Sequence, residues 1–370
     1  MTTAGLALAP MDRSARLDRV RAAMDGADCQ ALVVTKPVNI RWLTGFTGSA
    51  GTLVIGPDRL LLITDDRYQT QVAEQLTASE VAAEVAITRD PAEPVRAGVA
   101  AAEAIGLESE HVTWADLKQF EDWLPGRRLQ PTVGMIEAER RTKDPGELDR
   151  LQAAAAIADA ALAAVVADLH EGPTELELAR RLERAMLDGG ADGLSFPTIV
   201  AAGPNSAKPH ARPSERVISE GDMVVIDFGA AVDGYGSDMT RSFLIGETSD
   251  ESRRIYDAVV EAQAAGVATV AGGVTEREVD QACRDRLADH GLAEAFVHGT
   301  GHGLGLEIHE KPFLSTRSTG ILRTGYVVTV EPGVYLPEIG GIRIEDSVVV
   351  TDSGCEALTK SPKDPQPAIR

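Results

Sequence analysis

The sequence predicts an α/β domain over residues 1–140 followed by a larger α+β domain over residues 141–370 that carries an internal pseudo-two-fold repeat. Three observations carry this reading. Short apolar runs alternate with helical patterns up to about Gly134. The stretch "ERRTKDPGEL" around Arg140 then breaks the alternation and opens a helix. Finally, "PTELELARRLERAMLDGGADGLSF" aligns without a gap on "VTEREVDQACRDRLADHGLAEAFV" at an offset of 101 residues.

Taken in order, the first domain is expected to hold a helix around Met11–Met24, strands in "QALVVT", "GTLVIG" and "RLLLITDDRY", and a helix from about Gln69. At the boundary, Asp144 reads as an N-cap with Pro145 at the first helical position and Glu147 at the third. The apolar segment that follows, "LQAAAAIADAALAAVVADL", carries Asp159 and Asp168 and reads as a long amphipathic helix rather than a membrane span. In the repeat, Thr174/Thr275, Glu175/Glu276, Glu177/Glu278, Asp188/Asp289 and Gly190/Gly291 coincide. Each copy thus opens with a capping box and closes with glycine, after a longer helix at about 145–170 or 251–270.

Composition narrows the function. A net charge of −21 argues against nucleic acid or an anionic membrane as a partner. Three cysteines, Cys29, Cys283 and Cys355, lack metal-type spacing and read as reduced thiols of a cytoplasmic protein. The amino terminus has no basic segment of the kind that starts a secretion signal.

The chemistry is expected in the second domain. Asp227, Asp238, Glu331 and Glu345 are embedded in the apolar runs "MVVIDFG", "YGSDMTRSFLIG", "YVVTVEPGVY" and "GIRIEDSVVV", and His302 lies between the two pairs. A lone buried carboxylate costs several kcal/mol and neutralises or finds a partner. Any one acid could pair with Arg241, Arg343 or Lys311; the whole set points to cations. Asp227 and Asp238 flank Asp233-Gly234, a two-residue hairpin signal. A turn centred there puts Asp238 opposite Gly229, and one centred a residue earlier puts it opposite Asp227; either leaves both acids on one face unless a bulge intervenes. Glu331 and Glu345 likewise flank the Gly340-Gly341 region, with their midpoint at Glu338. Such a set suits two divalent ions about 3.5–4 Å apart. Oxygen-rich ligation with one imidazole favours Mn(II), Co(II) or Fe(II), with Zn(II) also admitted.

The stretches "SFPTIVAAGPNSAKPHARP", "VVIDFGAAVDGYGSDMTRSF", "HGTGHGLGLEIHE", "VVTVEPGVY" and "GIRIEDSVVV" resemble the pita-bread metallopeptidase superfamily of methionine aminopeptidase, aminopeptidase P and prolidase. "PVNIRWLTGFTGSAGTLVI" and "LLITDDRY" resemble the creatinase/prolidase-like amino-terminal domain, which methionine aminopeptidases lack. The resemblance implies that Asp227 holds one metal, that Asp238 and Glu345 bridge two, that His302 and Glu331 hold the other, and that Glu331 shuttles a proton. His210, His298 and His309 match substrate-side histidines, and Arg343 is expected to orient carboxylates. Trp42 and Tyr68 are expected either in a pocket or in the core. A homodimer acting on proline-containing peptides follows from the same likeness.

The leading expectation is an Xaa-Pro aminopeptidase, the alternative an Xaa-Pro dipeptidase. A dipeptidase needs a cation for the product-side carboxylate, for which Lys311, Arg317 and Arg323 are candidates. A metal-free creatinase-type amidinohydrolase and a non-enzymatic peptide-binding module are more distant, since all five ligand positions are intact. "GTGHGLG" lacks the order of a nucleotide loop, and close backbone packing around His302 explains it better.

Overall fold

A computed structural model describes residues 7–368, which form two compact units, one of residues 11–140 and one of residues 141–368 together with residues 7–10.

The first unit is a six-stranded sheet of β1 (Ala31–Val34), β2 (Thr52–Ile55), β3 (Leu60–Thr64), β4 (Glu84–Ile87), β5 (Ala104–Glu108) and β6 (Arg128–Thr132), in the order β4-β3-β2-β1-β5-β6. Strands β1 to β3 are antiparallel neighbours, whereas β4, β5 and β6 join in parallel. Strands β1, β3 and β5 are buried along their whole length, so their sequences are mostly apolar rather than alternating, with Thr64 and Glu108 as the polar residues at the ends of β3 and β5. The helices are α1 (Arg16–Gly26), α2 (Pro37–Thr44), α3 (Gln69–Ala78), α4 (Ala92–Gly98), α5 (Trp114–Trp123) and α6 (Met135–Arg140). The first starts later than its apolar pattern because Asp12 accepts the backbone N–H and hydroxyl of Ser14 and holds a turn there. Trp42 belongs to the core: it is 1% exposed, under the Arg16 guanidinium at 4.5 Å. The Tyr68 hydroxyl is bonded to Ser49.

The second unit contains the repeat as two helix pairs, α7 (Pro145–Val165) with α8 (Glu175–Asp188) and α9 (Asp250–Thr269) with α10 (Glu276–Asp289). Both expected capping boxes form at the starts of α8 and α10. Gly190 and Gly291 both take the left-handed conformation past the helix ends, at φ 99° and 69°. Leu178, Leu182 and Met186 of the first core recur as Val279, Cys283 and Leu287 of the second, all fully buried. Helix α7 is long and apolar enough by composition to cross a membrane, but Ile157, Leu162 and Val165 are packed in the first core. Residues 7–10, which a boundary at residue 140 assigns to the first domain, pack here instead. The Ala9 N–H donates to Asp149, its carbonyl accepts from Arg150, and Leu8 lies on the first core.

Each half carries a long, interrupted hairpin. In the first, β9 (Met223–Phe228) pairs with β12 (Met239–Leu244), and β10 (Ala230–Val232) with β11 (Tyr235–Gly236). Both pairings share one register, with Asp227 opposite Thr240 and Val232 opposite Tyr235. Asp233 and Gly234, at φ 45° and 76°, make the two-residue turn. That register puts Asp238 across from Gly229, the first of the two pairings the sequence admits. In the second hairpin β15 (Val327–Val330) pairs with β18 (Asp346–Val350), and β16 (Gly333–Leu336) with β17 (Gly340–Arg343), symmetrically about Glu338.

Strand β8 (Ile199–Ala202) completes the sheet β12-β9-β8, and β7 (Gly193–Leu194) lies beside β10. Strands β13 (Gly301–Gly303), β14 (Glu310–Leu314) and β19 (Cys355–Ala357) complete the sheet β14-β13-β15-β18-β19. Strand β13 approaches β15 so closely that a Cβ on Gly301 would lie 1.9 Å from the Thr329 carbonyl oxygen.

Gly301→Ala is therefore expected to lose about 3 kcal/mol and to lower Tm by roughly 6–12 °C. Gly193→Ala, whose Cβ meets nothing within 4 Å, should stay within roughly 2 °C of the parent. Thermal unfolding followed by circular dichroism compares them, and a Gly301→Ala protein that melts like Gly193→Ala would refute the close approach.

Candidate metal centre

The acids of the two hairpins collect where the ribbons are interrupted. Asp227 is near the end of β9 and Asp238 just precedes β12; Glu331 just follows β15 and Glu345 just precedes β18. At the first break a Cβ on Gly229 would lie 1.9 Å from the Ser237 carbonyl oxygen, and at the second Pro332 has no N–H to give to a ladder. His302 stands in β13 at a register shift against β14. These five residues, with His210, His298, His309 and Arg343, all line one cleft of about 350 Å³.

Donor atoms of Asp238, His302 and Glu345 lie within 4.8 Å of one another. His302 Nε2 is 3.5 Å from an Asp238 oxygen and 3.4 Å from a Glu331 oxygen. Its Nδ1 is 3.1 Å from the Gly303 carbonyl, which can only accept, so Nδ1 carries the proton and Nε2 presents its lone pair to the acids. Burial lowers the imidazole to about 4 and keeps it neutral. Glu345 Oε2 accepts from the Thr240 hydroxyl at 2.7 Å and Asp227 Oδ2 from Arg343 at 2.6 Å. The second oxygens, Glu345 Oε1 and Asp227 Oδ1, are buried with no hydrogen-bond partner.

Those two orphaned oxygens decide whether the residues fit a metal. A buried carboxylate oxygen without a partner costs about 1–3 kcal/mol, and one guanidinium cannot balance four acids. Divalent cations with oxygen and imidazole ligands satisfy every unmet group at once. Burial pushes Asp238 and Glu345 well above the ordinary carboxylate range, each raised further by the neighbouring acids. Glu331 is pushed up to about 8, again chiefly by burial, with Arg343 opposing and Asp227 reinforcing.

The three further histidines differ. His309 packs its ring edge-on to His302, with centroids 4.3 Å apart. His210 and His309 have no hydrogen-bond partner among the described residues and face the cleft. His298 is committed within the protein: Nδ1 donates to Gly299 at 2.8 Å and Nε2 accepts from Tyr335 at 2.9 Å. Its ring nitrogens are therefore not open to a substrate in the way the sequence reading expects. Arg343 is buried and donates to Asp227, to the Tyr335 hydroxyl at 2.8 Å and to Thr240 at 3.1 Å.

Sequence reasoning missed Thr240, Thr329 and Tyr335. Thr240 stands two residues after Asp238, and Thr329, whose hydroxyl accepts from the His302 N–H at 3.0 Å and donates to Glu331 at 3.4 Å, stands two before that acid. Strand alternation could have found both threonines; Tyr335 lies beyond the break at Pro332 and carries no such signal. Phe196, Ile199, Ile308 and Phe313 supply an apolar wall that motif spacing does not reveal.

The sequence pattern of metallopeptidase family M24 matches residues 149–352, and that of the creatinase/prolidase N-terminal domain matches residues 16–142. A solved Xaa-Pro dipeptidase from Bacillus anthracis is 40% identical, with a TM-score of 0.92, and the match covers 95% of this chain and 99% of that one. A solved X-Pro aminopeptidase from Thermotoga maritima is 34% identical, with a TM-score of 0.85 and coverage of 93% and 99%. The Xaa-Pro dipeptidase of Pyrococcus furiosus is 32% identical over 351 residues, which is 94% of this chain and 99% of the relative.

Without metal, Asp238, Glu331 and Glu345 hold their protons to higher pH in the folded than in the unfolded chain. The stability they supply is full below the ordinary carboxylate range and is lost as pH rises towards their folded values, about 8 for Glu331. Chelator-treated protein is thus expected to melt at lower temperature at pH 8 than at pH 5.5, and Mn(II) should remove the difference. Calorimetry should show proton release on Mn(II) binding at neutral pH. Equal melting of the metal-free protein at both pH values, with no proton release, would contradict this charge balance.

Proposed function

The chain belongs to metallopeptidase family M24, and from that premise we propose that it hydrolyses the bond between an amino-terminal residue and a following proline, with Xaa-Pro dipeptides as its substrates. It is a metallopeptidase with a creatinase/prolidase amino-terminal domain. The observation that carries its chemistry is the pair of orphaned buried oxygens on Asp227 and Glu345. A metal-free amidinohydrolase or an inert binding module has no need of them.

In this reading Asp227, Asp238, His302, Glu331 and Glu345 would hold two divalent ions, Mn(II) first among them. When bound, such ions polarise a scissile carbonyl and acidify water. Glu331 takes the proton of the attacking water and delivers it to the proline nitrogen, which must be protonated to depart. His309 and His210 donate N–H bonds to the oxygen on which negative charge grows. Burial lowers His309 below the usual imidazole range, with Asp227 opposing and His210 reinforcing. Arg343 orients Asp227, while His298 acts through Tyr335. The apolar wall of Phe196, Ile199, Ile308 and Phe313 suits a pyrrolidine ring and keeps water from it.

Length preference is the finer question, on which the sequence alone favours the aminopeptidase. Two points support the dipeptidase: the names of the Bacillus and Pyrococcus relatives, and Arg343, the one Lys or Arg among the described residues on the cleft wall, as the cation for a dipeptide's carboxylate. Lys311, Arg317 and Arg323 are not on that wall. The aminopeptidase remains the second reading because Arg343 already serves Asp227, Tyr335 and Thr240, which leaves little of it for a substrate carboxylate. A cytoplasmic homodimer is part of the same proposal and rests on the composition and the family likeness.

Purified protein is expected to release alanine from Ala-Pro with Mn(II) or Co(II), and to fall silent after chelation. Preferential cleavage of Ala-Pro-Ala would establish the aminopeptidase instead, and silence on both peptides with every metal would sink the proline specificity. Asp238→Ala should abolish turnover with the fold retained. His309→Ala should lower kcat roughly 100-fold while leaving Mn(II) affinity unchanged; near-normal turnover by either variant removes that residue from its role.

A further inference from the structure

Lys143 and Glu310 form an ion pair that does not line the cleft: Lys143 Nζ is 2.7 Å from Glu310 Oε1, and the two side chains are 1% and 7% exposed. Lys143 comes from the short segment before α7, where its N–H donates to the Gly325 carbonyl and its ammonium also reaches the Arg141 carbonyl at 3.3 Å. Stability alone does not explain such a pair. Replacing a buried ion pair by apolar side chains of similar volume is often neutral or stabilising, and the better attested use of buried charge is to fix register.

Register is what the surrounding backbone leaves unsettled. Glu310 follows His309 and opens β14; its partner Gly303 follows His302. Between those positions the ladder shifts, since His302 pairs with Phe313 while Gly303 pairs with Glu310. A regular ladder places each residue by its neighbours, whereas a shifted one does not. The Glu310 carboxylate is also sealed from the loop side: a Cβ on Gly305 would lie 2.8 Å from its Oε1. The Gly305 carbonyl is in turn held by the Gly236 N–H at 3.1 Å.

We propose that Lys143 and Glu310 are positioning residues whose ion pair fixes the start of β14 and thereby sets the His309 ring against His302 at the reacting carbonyl. The pair touches neither ligand nor substrate and acts only through the backbone it pins. This rests on the reading of His309 as a donor to the substrate.

The decisive protein is the double variant Lys143→Met with Glu310→Met, which removes both charges while keeping side-chain volume. It is expected to melt within a few degrees of the parent or above it. With Mn(II) and Ala-Pro its kcat should fall roughly 10-fold or more, with KM within about threefold of the parent. In nitrogen-15 spectra of the metal-free protein, the His302 and His309 ring signals should move, while those of His111, His170 and His290 stay. A folded double variant with parental kcat and unmoved His302 and His309 signals would overturn the proposal and leave the pair a support of the fold only. If the double variant does not fold, Glu310→Gln decides by the same readouts, because the amide keeps the shape and an acceptor for Lys143. At least a threefold fall in kcat with shifted ring signals supports the proposal, and parental values in both overturn it. Should the parent be silent on Ala-Pro, the reading of the cleft fails, while the ring signals still decide whether the pair positions His309.

Discussion

Four carboxylates share a cleft with a single guanidinium, and most of the local architecture follows from keeping them together. Like charges at these distances repel strongly once water is excluded. The chain answers in three ways. Arg343 takes one oxygen of Asp227, the Thr240 hydroxyl takes one of Glu345, and burial pushes Asp238, Glu331 and Glu345 above the ordinary carboxylate range. None of these satisfies the last two oxygens, and that residue of unmet charge is the binding free energy available to cations. The hairpin interruptions belong to the same account. An unbroken ladder would carry the acids along its two edges, whereas a break turns the backbone so that acids from separate ribbons converge.

What was legible in the sequence is what local rules dictate. Asp233-Gly234 specifies a turn with two left-handed residues, and the turn fixes a register that carries through to β9 and β12. Thr174 with Glu177 and Thr275 with Glu278 specify helix starts, because a capping box satisfies two backbone groups with neighbours in sequence. The acids were legible because charge is rare inside apolar strands. The hidden features depend on partners distant in sequence. That Gly229 marks a break follows from Ser237 passing above it, and that Ala9 leaves the first domain follows from Asp149 and Arg150. Tyr335 and the committed state of His298 are equally contextual, since a tyrosine in an apolar run reads as core until its hydroxyl finds Arg343 and the imidazole.

The duplication accounts for the symmetry of the scaffold and leaves the asymmetry of the site to be explained. Asp227 pairs with Ile199 on β8, and the Glu331 N–H donates to Thr300 beside β13. Ile199 and Thr300 are separated by the same 101 residues that relate the helices, so Asp227 and Glu331 occupy equivalent places. At that offset Ala201 stands where His302 does. One half thus gives two short carboxylates, and the other gives two longer carboxylates and an imidazole. Cations held by such halves would meet unequal surroundings: His302 would offer a softer donor on one side, and on the other Asp227 already accepts from Arg343. Of the other cleft histidines, His298 and His309 come from the second half with His302, and His210 from the first. A symmetric scaffold thus carries an asymmetric donor set, and the difference lies in one pair of matched strand positions, where one half has Ala201 and the other His302.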